Sequence, residues 1–130
     1  MARHLAIFSG TAISDILRGK KTIESRLSRH RIAPFAAVGN GDLVFMKQSG
    51  GKIMGQFFVD KAVFFDHPNT EDMQKIRQEY VKGLLVDEQF FRQHQDACYV
   101  TLLFIRHPSS FLTAPLTFAK SDRRGWVVID

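Results

Sequence analysis

The sequence predicts an α+β fold: a small twisted β-barrel with short helices inserted between its strands. Three observations carry this expectation. Strand-like apolar stretches occupy both ends and the middle of the chain, the stretches of helical period are short, and no regular strand–helix–strand rhythm suggests a parallel sheet. With 130 residues and no stretch that reads as a linker, one domain is expected over residues 1–130.

Residues 4–8 read as a first strand, and residues 10–18 follow with Ile13, Ile16 and Leu17 at helical spacing. Gly19 is a good helix stop, and residues 22–27 then alternate around Ile23 before a loop that contains Pro34. Gly39-Asn40-Gly41-Asp42 turns the chain into an apolar strand at residues 43–47. Gly50-Gly51 makes a hairpin between that strand and a long one over residues 53–65, a ribbon long enough to curl. Pro68-Asn69-Thr70, followed by Glu71 and Asp72, is a helix start with acids where the N-terminal dipole favours them, and Met73, Ile76 and Tyr80 share a face. A second helix is expected over residues 87–94 with Phe90 and Phe91 packing inward, then strands over residues 98–105 and 126–129. Closing a barrel would set residues 126–129 beside residues 4–8 and bring residues 120–124 to a rim.

The composition, 45% hydrophobic and 24% charged, is ordinary globular usage. Twelve Phe stand against two Tyr and one Trp, and their pairing at residues 57–58, 64–65 and 90–91 assigns most of them to the core. Cys98 is the only cysteine, so no intramolecular disulfide is possible; a buried thiol in a reducing compartment is expected. The apolar stretch near the N-terminus is too short for a signal peptide or a membrane span, which predicts a cytoplasmic protein with no membrane partner.

The net charge of +5 is unevenly distributed. Arg18, Lys20, Lys21, Arg26, Arg29 and Arg31 face one acid, Glu24, within residues 18–31, while the rest of the chain is balanced. Such a segment either focuses a field that attracts phosphate or is simply a solvated loop. A second basic cluster, Lys120, Arg123 and Arg124, abuts Trp126, where cations beside an aromatic ring suit base stacking; Trp126 also begins an apolar run that suits a core. The five histidines have no metal-ligand spacing and no cysteine pair beside them, so no metal is expected. P-loop, dinucleotide-binding and GxSxG patterns are all missing, and no cofactor is expected.

What remains is Gly19-Lys20-Lys21-Thr22-Ile23-Glu24-Ser25-Arg26. If the chain is extended from Thr22, then Thr22, Glu24 and Arg26 share a face, and Lys21 at the helix-to-strand junction can swing toward them. A lysine, a carboxylate and an arginine placed so can hold a phosphate and a base edge, or hold Lys21 as a general base in a dry site. They can equally form a surface salt bridge contributing at most about 1 kcal/mol.

This octapeptide resembles the signature G-x-K-x-x-E-x-R of the ASCH domain family, met by Gly19, Lys21, Glu24 and Arg26. Gly41-Asp42-Leu43-Val44-Phe45 is similar to the family's GD-strand, Ile53-Met54-Gly55-Gln56-Phe57 to the strand after it, and Lys120-Ser121-Asp122-Arg123-Arg124-Gly125-Trp126-Val127-Val128 to the close of one bacterial branch. The resemblance spans most of the chain and is least diagnostic over residues 68–96. It implies a PUA-like β-barrel, related to modules that bind RNA or modified bases, with the signature lining a cleft. Some small members are acetylcytidine amidohydrolases, in which the signature lysine works with a threonine three residues later and a distant glutamate. That threonine position is Glu24 here, a poor substitute for a nucleophilic hydroxyl, so the chain departs from that mechanism.

Two functions are therefore expected candidates. The first is a binding module for RNA or a nucleotide-like ligand, in which Lys21, Arg26, Arg29, Arg123 and Arg124 contact phosphate or sugar, Glu24 reads a base or orients Lys21, and Lys47 and Trp126 add to the cleft wall. The second is a hydrolase acting on RNA or a modified nucleoside, a ribonuclease or amidohydrolase, with Lys21 as base or electrostatic stabiliser and Glu24 as proton shuttle.

Overall fold

Strand pairing places all six strands in one sheet, in the order β2-β5-β4-β3-β1-β6, in a computed structural model that describes residues 1–112 and 124–130. Next to one edge, β1 (Arg3–Phe8) runs parallel to β3 (Leu43–Gln48), Leu5 opposite Phe45, and antiparallel to the edge strand β6 (Trp126–Val128), Ala6 opposite Trp126. The C-terminal strand thus lies beside the N-terminal one, as expected. β4 (Ile53–Asp66) and β5 (Tyr99–Ser110) have 14 and 12 residues, against about 5–6 for a usual strand. Their ladder slips register between Gln56 and Phe58 and again between Val59 and Lys61, and the β3–β4 ladder slips between Met46 and Lys47. Each slip bends a strand and increases its twist, which curls the sheet. Curling carries β2 (Ile23–Ser28), paired with β5 at one edge, back toward β1 and β6 at the other. The expected barrel is thus a curled six-stranded half-barrel.

Alternation along the strands divides the apolar residues between two faces. Ala6, Phe8, Val44, Met46, Phe57, Val59 and Trp126 point inward and meet Ile13 and Ile16 of helix α1 (Ala12–Leu17); Leu5, Phe45 and Ile53 form a smaller cluster on the other face. A third cluster joins Ile23, Val100 and Leu102 to Ile76, Leu84 and Phe91 of the helical insert. That insert begins at Asn69, whose side chain accepts from the Asp72 amide at 2.8 Å while Asp72 accepts from the Asn69 amide at 3.0 Å, a reciprocal cap. Helix α2 (Thr70–Lys75) passes into a π-helical turn (Ile76–Tyr80) and a short helix α3 (Val81–Leu84), where one regular helix was expected; α4 (Glu88–Gln93) follows, capped by Asp87. Cys98, expected to be buried, is half-buried, because it lies in the turn before β5 rather than in the strand.

The main polar feature of the core is a chain from Trp126 through His4 to Asp42. Trp126 Nε1, which can only donate, lies 3.1 Å from His4 Nδ1, so Nε2 carries the proton and donates to Asp42 Oδ2 at 2.9 Å. Asp42 also accepts from the amides of Ala2 and Gly39. Burial opposes its ionisation, but these hydrogen bonds outweigh that penalty and hold its carboxyl below the usual value. The Gly-Asp turn is thereby tied to both terminal strands. Among the described residues no helix is long and apolar enough to cross a membrane, and no group of His, Cys, Asp and Glu is placed to hold a metal ion.

Candidate ligand-binding cleft

Gly19, at φ +77°, takes a conformation that L side chains rarely adopt and turns the chain out of α1. The amides of Lys20 and Lys21 both bond to the Asp15 carbonyl, which fixes the start of the extended segment. The Thr22 amide then donates to the Gly83 carbonyl at 2.9 Å, so α3 sits directly on the head of β2. A Cβ at Gly83 would lie 2.7 Å from the Ile23 side chain and 2.8 Å from Thr22 Oγ1; only glycine permits this approach.

The charged residues of the signature converge on Glu24, which is 6% exposed. Glu24 Oε1 accepts from the Ser25 amide at 3.1 Å and lies 3.5 Å from Lys21 Nζ; Oε2 accepts from Arg26 Nε and Nη2 at 3.2 and 3.1 Å. Lys21 Nζ also donates to the Leu84 carbonyl at 2.6 Å. That carbonyl belongs to the last residue of α3, one of the groups a helix leaves unbonded, and a cation suits the negative end of the helix dipole. Arg26 reaches across the seam: Nη2 donates to the Ile7 carbonyl at 2.8 Å and Nη1 to the Gly125 carbonyl at 3.1 Å. Its guanidinium lies 4.9 Å from the centre of the Phe8 ring and 5.2 Å from that of Trp126. Buried charges of this kind persist because each one is paired and hydrogen-bonded.

Lys21, Glu24, Ser25 and Arg26 line one open cleft of about 460 Å³, together with Phe8 and Ser9 from the β1 side and Val86, Phe90 and His94 from the insert. On the far side of Arg26 a smaller cavity of about 180 Å³ is bounded by Trp126, Phe35, Tyr99 and Thr101.

The structure brings Lys21, Glu24 and Arg26 together and separates them from other residues of the expected site. Arg29 is exposed and ion-paired with Asp96, and Arg31 approaches Asp66, so the cationic segment is divided rather than focused. The cleft's own cations, Lys21 and Arg26, face Glu24. Lys47 sits opposite Ile7 on the outer face of the sheet, its Nζ 3.4 Å from the Gln48 carbonyl, and does not line the cleft. Trp126 is a core residue whose ring borders the smaller cavity and not the cleft of Lys21. Arg124 is exposed at the seam, next to the Gly125 carbonyl that Arg26 binds, and borders a cavity with Ile32 and Trp126. Lys120 and Arg123 lie outside the described residues. Phe90 and His94, which line the cleft, were not among the expected residues; their i, i+4 spacing was the signal that both share one helical face.

No family model matches the sequence, and no curated protein does. Solved structures match well. The ASCH protein of Zymomonas mobilis superposes with a TM-score of 0.65 at 16% identity, over 83% of this chain and 69% of that one. A Tyr-to-Phe variant of it gives 0.74 at 14% identity, covering 98% and 90%, and a Ser-to-Ala variant gives 0.70 at 13%, covering 98% and 88%. At such identities the likeness is one of fold. The curled half-barrel, its short helices and these superpositions together show that the chain has the PUA-like fold of the ASCH proteins, the family its octapeptide resembles.

Proposed function

We propose that the protein binds RNA or a nucleotide-like ligand in the cleft of Lys21, Glu24 and Arg26. The observation that carries this reading is that the three charged signature residues line one open cleft beside aromatic rings, rather than scattering over the surface. The hydrogen bonds support a division of roles. Arg26 has committed four of its five N–H donors to Glu24, Ile7 and Gly125, so it chiefly builds the wall. Glu24 has both oxygens engaged twice, so it orients Lys21 and Arg26 instead of reading a base. Lys21, with Leu84 and Glu24 as partners, keeps a third N–H for a phosphate or carbonyl oxygen. Arg124, exposed at the seam, adds positive potential there. The fold likeness to the ASCH proteins supports the same reading.

Fluorescence anisotropy of labelled single-stranded RNAs, at low and moderate salt, tests it. Binding is expected to weaken with salt, with a slope of about 0.7 per phosphate contact, and to fall in Lys21→Met. No binding at low salt contradicts the proposal. Turnover of RNA or of acylated nucleosides by the wild type, lost in Lys21→Ala, would replace it with the hydrolase reading.

A further inference from the structure

We infer that the helical insert supplies the base-reading half of this cleft: Phe90 forms a stacking shelf, and the His94 ring hydrogen-bonds the edge of a nucleobase. The inference rests on the proposed nucleotide-binding reading and adds to it the part of the ligand that is recognised and the residues that recognise it.

On the β2 side the polar groups are largely saturated, as the bonding of Glu24 and Arg26 shows. On the insert side they are not. His94 is half-buried and lines the cleft, and among the described residues no hydrogen bond engages its ring nitrogens. A neutral imidazole offers one donor and one acceptor, the complement that a base edge requires. Its ring centre lies 4.6 Å from that of Phe90, with the planes 52° apart. Phe90 is set in turn by an edge-on contact, 5.4 Å between centres, with Phe91, which is fully buried. The shelf is therefore anchored in the core while its upper surface faces the cleft. A volume of about 460 Å³ falls within the roughly 300–1,000 Å³ usual for small-ligand sites. The Lys21–Leu84 bond and the close packing of Gly83 on Ile23 hold this wall against β2, so the phosphate-directed group and the base-directed groups have a fixed separation.

The test compares binding of RNA tetramers that carry bases with an abasic ribose-phosphate tetramer of the same charge, using the full chain and its variants. The wild type is expected to prefer the base-bearing tetramers by about ten-fold or more, the usual size of a base–aromatic stacking contribution. Phe90→Leu should collapse that preference. His94→Phe, which keeps a ring but no hydrogen-bonding nitrogen, should retain the preference over the abasic tetramer and lose discrimination among the four bases. Thermal melting confirms that each variant is folded, and Phe90→Met replaces Phe90→Leu if the latter is not. Equal wild-type affinity for base-bearing and abasic tetramers, or a preference that survives in Phe90→Leu, overturns the shelf while the nucleic-acid reading stands. No binding of any tetramer overturns both.

Discussion

The Arg26 guanidinium on β2 donates to the carbonyl of Gly125, 99 residues away in the chain, at 3.1 Å. With its bond to Ile7 it joins the two edges of the curled sheet, which no backbone ladder connects. Lysine cannot reproduce a planar fork that serves two carbonyls and a carboxylate at once. Arg26→Lys should therefore destabilise the fold by about 2 kcal/mol or more, since hydrogen bonds to charged groups contribute roughly 1.5–3 kcal/mol each. Urea denaturation measures this, and wild-type stability in the variant would refute the seam's role.

The buried Trp126–His4–Asp42 chain makes a second prediction. Trp126→Phe keeps most of the apolar surface but leaves His4 Nδ1 without its donor. A buried acceptor left unpaired costs about 1–3 kcal/mol. The loss should be visible in thermal denaturation, and His4→Phe combined with Trp126→Phe should cost less than the sum of the two single changes, because the pair is removed together.

Asp42 sets a pH dependence whose sign is fixed by its environment. Its folded value lies below the ordinary 3.8, so the unfolded chain takes up the proton first as pH falls. The stabilisation is fully present above the unfolded value and is lost as pH drops through the folded one. Melting temperature should fall steeply below about pH 4 in the wild type and less steeply in Asp42→Asn, which starts lower at neutral pH. Asp130, also lowered, chiefly by its hydrogen bond to Arg3, is exposed, and Asp130→Asn should change the profile little.

Much of this arrangement was legible in the sequence. Alternation and turn residues located the strands, and the Pro68-Asn69-Thr70 start and the inward Phe90-Phe91 pair located two helical segments, because these signals are local. The octapeptide put Glu24 and Arg26 on one face because an extended strand has period two, with Lys21 at the helix-to-strand junction able to swing toward them. What sequence spacing could not show was how the sheet closes: Arg26 spends its donors on carbonyls of Ile7 and Gly125, whose proximity depends on register slips far away in β4. For the same reason the positive charge of residues 18–31 looked concentrated, although Arg29 finds Asp96 only in three dimensions. His4 gave no sign of its part in the core, since its partners lie 38 and 122 residues away.

Gly83 offers a test of the cleft's second wall. Its replacement by alanine would set a Cβ 2.7 Å from the Ile23 side chain, forcing α3 away from β2. Overpacking of this kind costs about 1–3 kcal/mol. Gly83→Ala should lower the melting temperature and weaken RNA binding together, because the Leu84 carbonyl that holds Lys21 moves with α3.

Amide NMR of the isotopically labelled protein, titrated with single-stranded RNA, locates the binding surface directly. Ligand in the cleft should shift the amides of residues 19–27, leading into and along β2, and of 86–94 on the insert, with side-chain signals of Lys21 and His94 moving in step. The outer face around Phe45 and Lys47 should stay still. Shifts confined to that outer face, or a spectrum unchanged at saturating RNA, would rule out RNA binding in the cleft.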